Sequence, residues 1–162
     1  MSPSDTSPLP ARLHRALLDR QETVAAAESL TAGLFCASLA SVPGASATLR
    51  GGLVVYATDL KSALAGVPGD LLAAHGPVSA ETAAALAEGV RDRCTATWGV
   101  GLTGVAGPDP VDGYCPGRVY VGIAGYGTQV QRLVLAGDRA AIRAGAVDAA
   151  MKALLSMLPG RS

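Results

Sequence analysis

Cysteine, histidine and lysine are scarce in this 162-residue sequence, and each scarcity closes off a class of chemistry. The three cysteines, Cys36, Cys94 and Cys115, are odd in number and far apart, so they form neither a CxxC pair nor a disulfide framework. A reduced, cytoplasmic setting is the simplest expectation. The two histidines, His14 and His75, belong to no cluster with metal-ligand spacing, so neither a metal nor a cofactor is expected. Aromatic residues make up 4% of the chain, so the core must be built from alanine, valine and leucine with small side chains at the contacts. Neither charge sign is in excess, at 13 basic against 13 acidic residues, which argues against nucleic acid or an acidic membrane as partner. No apolar run is as long as a membrane span. Residues 1–10, rich in Ser and Pro, carry neither the basic start nor the apolar block of a secretory signal. They read as a disordered lead-in to one domain over residues 11–160.

The lysine shortage is itself informative. Only Lys61 and Lys152 are lysine, and the other 11 basic residues are arginine. Coding composition that favours arginine spares lysine where an amine must lose its proton, because a guanidinium in a protein cannot. Lys152 falls in a C-terminal helical pattern and reads as a solvated surface charge. Lys61 is the candidate for chemistry.

Helical spacing of apolar residues covers 9–20, and a short strand over 23–27 ends at Glu28-Ser29. Residues 31–41 return to helix, closed by Pro43-Gly44. The run GGLVVY (51–56) reads as a strand buried on both faces. Helical turns follow over 59–64 and 71–75, then a clear amphipathic helix over 79–94 with Ser79 as N-cap. A second buried strand over 97–102 runs into a Gly/Pro-rich loop, 103–117. Strands over 118–124 and 129–136 form a hairpin, and Asp138 caps a last helix reaching to about Leu158. This order predicts a single-domain α/β layer structure with a mixed sheet.

GVGLTG (99–104) satisfies the GxGxxG dinucleotide fingerprint, but its context does not. That fingerprint must open a helix, and two prolines follow here at 108 and 110. The glycines are expected instead to let backbone amides approach a ligand or to allow tight turns. Three segments rich in small polar residues follow predicted strands: 28–33, 56–61 and 103–108. Ligands of open α/β sheets bind beyond the carboxyl ends of strands. A helix opening at Thr31 would also aim free amides at an anion such as phosphate. A nucleotide-sized pocket is therefore expected.

The ordered motifs AESLTAG, VPGASA, GGLVVYATDLK, HGPVS, LTGVAGPD and GDRAAIR resemble the C-terminal domain of the CinA (competence/damage-inducible) family over nearly all the chain after residue 10. The resemblance implies a three-layer α/β/α fold with a mixed, mainly parallel sheet, and deamidation of nicotinamide mononucleotide to the nicotinate form by a metal-free Ser/Lys dyad, in a protein that is commonly a homodimer. Carried over residue by residue, it places the nucleophile on Ser46 and the base on Lys61. Ser29, Thr31 and Gly33 match pocket positions, as does Tyr56, which could orient Lys61 or line the nicotinamide site. Thr103, Gly104 and Gly107 match a loop supplying hydroxyl and amide donors, and Arg139 matches a motif arginine suited to phosphate. The segment 30–33 reads Leu-Thr-Ala-Gly where the family usually has Cys-Thr-Gly-Gly, Thr58 replaces an asparagine, and the loop 109–118 diverges. These departures leave open a nucleotide-binding member without turnover, or an amidohydrolase for a related amide.

Overall fold

The computed structural model describes residues 5–158. Helix α1 (Leu9–Arg20) leads into β1 (Val24–Glu28), α2 (Leu34–Ala40) and a 3-10 turn (Ala45–Ala47). Then come β2 (Leu49–Val54), α3 (Thr58–Ala63), α4 (Gly69–His75) and α5 (Ala80–Arg93). β3 (Trp98–Gly104), β4 (Arg118–Ala124), β5 (Thr128–Val134) and α6 (Arg139–Met157) complete the chain. The five strands form one sheet in the order β2-β1-β3-β4-β5. β1 pairs parallel with both β2 and β3, whereas β3–β4 and β4–β5 are antiparallel, so the sheet is evenly mixed rather than mainly parallel.

Side-chain alternation along β1 divides the core. Val24 and Ala26 join Leu13, Leu17, Phe35, Met151 and Leu154 on the face covered by α1, α2 and α6. Ala25 and Ala27 face the other way, onto Val55, Val67, Leu86 and Val90 beneath α5. A three-layer α/β/α sandwich results, because both faces of the central strand must be covered.

The glycines of GVGLTG have a cause in packing. A Cβ on Gly99 would strike the Ala87 carbonyl of α5, and one on Gly101 the Ala83 carbonyl. These two glycines bring the helix against the sheet, and neither approach to a ligand nor a tight turn is what requires them. Their strand neighbours Trp98, Val100 and Leu102 fill the opposite core.

Local signals account for most element ends. Ser79 Oγ accepts from Thr82 N at 3.1 Å, and Asp138 Oδ1 accepts from Ala141 N at 2.9 Å, so both expected N-caps form. Other boundaries differ from expectation. β2 is an edge strand with alternating burial, not one buried on both faces. Residues 31–33 form turns, and α2 opens only at Leu34. The expected lead-in is also shorter, since Asp5 pairs with Arg15 at 3.1 Å and α1 begins at Leu9. Residues 1–4, 159 and 160 of the expected segments lie outside the described residues. Among the described residues, no helix is long and apolar enough to cross a membrane.

Candidate active site

β1 lies between β2 and β3; the connection leaving β1 runs to one side, to β2, and that leaving β3 to the other, to β4, which opens a crevice at the carboxyl ends of β1 and β3. The crevice is a cavity of about 330 Å³. Its walls come from the segments after β1 (Ser29, Leu30), after β2 (Tyr56, Thr58, Lys61), before α5 (Pro77, Val78) and from the end of β3 onward (103–109), with Val111 and Arg139 at the rim.

Ser29 directly follows β1 and is anchored to its neighbour by Ser29 N donating to Leu102 O at 2.9 Å. Lys61 sits on the short helix α3, which starts four residues beyond β2. Its side chain runs back beneath the end of β2 and is only 1% exposed. Lys61 Nζ donates to Ser29 Oγ at 3.0 Å, to Val55 O at 2.8 Å and to Tyr56 O at 3.3 Å. All three partners are neutral oxygens. Burial therefore pulls the amine down from its ordinary 10.5 to about 8. Once neutral, it keeps two N–H bonds for the Val55 and Tyr56 carbonyls, and its lone pair is left for the Ser29 hydroxyl proton. The geometry thus supplies an alcohol and an adjacent base.

Ser46 is not at this site. It lies exposed in the 3-10 turn before β2, whereas Lys61 lies beyond the other end of that strand. Six strand residues at roughly 3.3 Å each put about 20 Å between the two positions. The Ser46 turn is built around His14 and Thr48, whose Nδ1 and Oγ1 are hydrogen-bonded at 2.8 Å. The hydroxyl paired with Lys61 is that of Ser29, which the resemblance implies only as a pocket residue. A signal for this was present in the sequence: Ser29 follows a strand, Ser46 precedes one, and sites of open α/β sheets lie beyond the carboxyl ends.

Two other expected pocket residues are displaced. Thr31 is fully buried, does not line the cavity, and its Oγ1 has no hydrogen-bond partner among the described residues. Gly33, at φ +100°, is the left-handed residue before α2 and also lies off the cavity. The anion site expected from a helix opening at Thr31 is absent too, for a definite reason. The buried Glu28 carboxylate accepts from Phe35 N at 2.8 Å and Cys36 N at 3.1 Å, and so takes the first amides of α2. Burial, and then this same carboxylate, push the Cys36 thiol up to about 12, which removes it as a nucleophile.

Tyr56, Thr103, Gly104, Gly107 and Arg139 do meet at the cavity. Tyr56 steadies Lys61 through its carbonyl, while its hydroxyl accepts from Arg139 Nη2 at 2.8 Å. Arg139 Nη1 donates to Gly107 O, so the guanidinium spans the mouth between the segments after β2 and β3. Thr103 Oγ1 donates to Pro77 O at 2.6 Å, which commits its proton to the wall. In the divergent loop, Asp112 (φ +51°) and Gly113 (φ +80°) form a two-residue turn closed by Val111 and Tyr114. Arg143, the last residue of GDRAAIR, donates Nε to Leu30 O at 2.9 Å and Nη2 to Thr31 O at 3.1 Å.

A wider groove of about 710 Å³ lies between β4, β5 and α6. Its ionisable side chains are Asp148 and Lys152, and its one serine, Ser156, donates its hydroxyl to Ala153 O, so it offers no alcohol–base pair. Among the described residues, no group of three or more His, Cys, Asp or Glu could hold a metal ion.

The comparisons agree with this architecture. The model of the CinA C-terminal domain matches residues 6–158. A CinA-like protein of Frankia casuarinae is 49% identical over 145 residues, covering 89% of this chain and 34% of its own length. One from Anaeromyxobacter is 49% identical over 149 residues, covering 90% of this chain and 36% of its own length. The chain thus spans about a third of the length of these curated relatives. A crystal structure of a CinA superfamily protein from Klebsiella pneumoniae superposes with a TM-score of 0.90 at 30% identity, covering 93% of this chain and 95% of that one. The competence/damage-inducible protein CihA of Agrobacterium tumefaciens gives 0.85 at 28% identity, covering 93% and 96%. The order of motifs, the fold and the family match lead to one conclusion: the chain belongs to the CinA C-terminal domain family.

Proposed function

We propose that the chain is a serine amidohydrolase that deamidates nicotinamide mononucleotide, with Ser29 as nucleophile and Lys61 as base. The 3.0 Å contact between Lys61 Nζ and Ser29 Oγ, buried at the foot of an open cavity, carries this reading. Neutral Lys61 takes the hydroxyl proton as Ser29 Oγ bonds to the amide carbon. The resulting ammonium returns that proton to the departing nitrogen, and ammonia leaves as the carbon–nitrogen bond breaks. Water, deprotonated by the same amine, then cleaves the Ser29 ester and releases the nicotinate product. Each proton taken is given back, so the cycle closes without a cofactor.

The substrate is chosen by the family resemblance together with the rim. Arg139 is exposed at the mouth, within reach of the segments that flank the dyad, and a guanidinium fork suits a phosphate. The cytoplasmic setting expected from the cysteines and the homodimeric state implied by the resemblance belong to the same proposal. In support of the dimer, Val54, Tyr56, Leu60 and Leu64 stay exposed beside the site, and sedimentation velocity tests it. An ammonia-release assay on the purified chain tests the activity, comparing nicotinamide mononucleotide with nicotinamide, its riboside and the dinucleotide. Release from the mononucleotide above the other three is expected. No release from any of them overturns the reading.

A further inference from the structure

Two arginines at the start of α6, four residues apart, hold different parts of the site. Arg139 spans the mouth, whereas Arg143 does not line the cavity and grips the turn immediately after Ser29. A trans peptide points its C=O and N–H in opposite directions. Fixing the Leu30 and Thr31 carbonyls therefore fixes two successive peptide planes. The N–H of the second plane, Ala32 N, closes the turn by donating to Ser29 O at 3.1 Å. Ser29 is thus held from the sheet on one side, through its own N–H, and by an Arg143-clamped turn on the other.

That turn is under strain. Ala32 sits at φ +48°, in the left-handed region that alanine avoids. Such a conformation persists only where its surroundings over-determine it. The surroundings here are the hydrogen bond from Arg143 Nη2 to Thr31 O on one flank and Gly33 (φ +100°) on the other. A planar fork can grip two carbonyls at once, as an ammonium cannot.

We infer that Arg143 is a positioning residue for Ser29: its grip on the Leu30 and Thr31 carbonyls holds the left-handed Ala32 and the turn that aims the Ser29 hydroxyl at Lys61. This rests on Ser29 as the nucleophile of the proposed reaction. A fluorophosphonate probe reads the alcohol directly, without the nucleotide. Ser29 Oγ bonds to phosphorus, the P–F bond breaks, fluoride leaves and the hydroxyl proton passes to Lys61. The labelling rate at Ser29, located by peptide mass, is compared among the parent chain, Arg143→Gln, Arg143→Lys and the double variant Arg143→Gln/Ala32→Gly, each checked for folding by thermal melting.

Arg143→Gln should label at least about tenfold more slowly, since small misplacements of a reacting group carry penalties of this size. The double variant should recover a good part of the loss, because glycine enters the left-handed region unaided. Arg143→Lys should fall between, and it replaces the glutamine variant if that one does not fold. Parent-like labelling of a folded Arg143 variant overturns the inference, and so does a slow Arg143→Gln that glycine at 32 fails to improve. A parent chain that never labels at Ser29 overturns the nucleophile reading and this inference with it. Normal labelling without ammonia release overturns the choice of substrate alone.

Discussion

Both ends of the sheet bury an ionisable side chain, and the two are held in opposite ways. At the end where β1 begins, Glu22 is 8% exposed and accepts from Trp98 Nε1 at 2.7 Å, Tyr126 Oη at 3.0 Å and Arg20 Nε at 3.1 Å. Burial raises its pKa, but these donors outweigh burial and keep the carboxyl below its ordinary 4.5. At the other end, Lys61 is buried more completely and meets no opposite charge. Its pKa falls because nothing offsets its desolvation. A compensated charge such as Glu22 stays ionised and ties elements together. An uncompensated one is poised to change protonation near neutral pH, as a general base must be.

The dyad gives this contrast its hardest test. Ser29→Ala and Lys61→Arg should each reduce ammonia release by at least about a thousandfold while leaving the melting curve near that of the parent. Because the proposed nucleophile and base would work as a unit, the double variant should be scarcely worse than either single one. Ser46→Ala, at the end that holds Glu22, should retain near-parental kcat/KM. A Ser46→Ala chain as inactive as Ser29→Ala would erase the functional difference between the two ends.

The pH profile sharpens the same point. Lys61 is protonated below its depressed pKa and cannot then accept the Ser29 proton. Initial rates across pH 6 to 9.5 (a span of roughly the width such a titration needs) should show kcat/KM rising with a midpoint of about 8. A profile that is flat, or that falls over this range, would detach the base role from Lys61.

At the mouth, Arg139→Ala should raise KM for a phosphorylated amide by about tenfold and lower kcat less, as expected when an interaction is made equally before and during the reaction. Steady-state kinetics with the mononucleotide and its riboside separate the cases. Equal effects on both substrates would assign Arg139 to bracing Tyr56 and Gly107 rather than to the phosphate.

Glu22 should behave in the opposite manner to the dyad. Glu22→Gln leaves at least one buried donor poorly matched and should cost about 1–3 kcal/mol of stability without lowering kcat. Its folded-state pKa is depressed, so its contribution is complete above the ordinary 4.5 and is lost as pH falls through the folded value. Urea unfolding followed by Trp98, the chain's one tryptophan, should show the parent losing stability below pH 4.5 more steeply than the variant.

Much of this was legible in the sequence. The caps Ser79 and Asp138, the hairpin of β4 and β5, and the singular lysine could be read from local chemistry. Two features could not, because each depends on what a segment packs against. GGLVVY looks like a central strand, yet it forms an edge whose glycine Gly52 admits the Cys36 sulfur close to the backbone. Gly99 and Gly101 of GVGLTG look like part of a ligand loop but accommodate α5. Ser46 was favoured by motif matching over the position of each serine relative to its strand, and positional logic would have chosen Ser29. Arg143 was invisible for another reason: its partners are backbone carbonyls more than a hundred residues away.

The smallest expected effect concerns strain beside the dyad. Ala32 occupies the left-handed region at φ +48°, and reaching it costs an alanine about 1–2 kcal/mol relative to glycine's free access. Glycine regains part of that difference as unfolded-chain entropy, about 0.5–1 kcal/mol. Ala32→Gly should therefore stabilise the chain by a net of under about 1 kcal/mol, raising Tm by about 2–4 °C at most. Glycine placed where alanine already has an ordinary helical conformation, at Ala84 in the middle of α5, should do the reverse by about 1 kcal/mol. Differential scanning calorimetry of the two variants side by side compares them with composition held equal. If Ala32→Gly destabilises as much as Ala84→Gly, the turn after Ser29 stores no strain, and the need for Arg143 to hold Ala32 disappears with it.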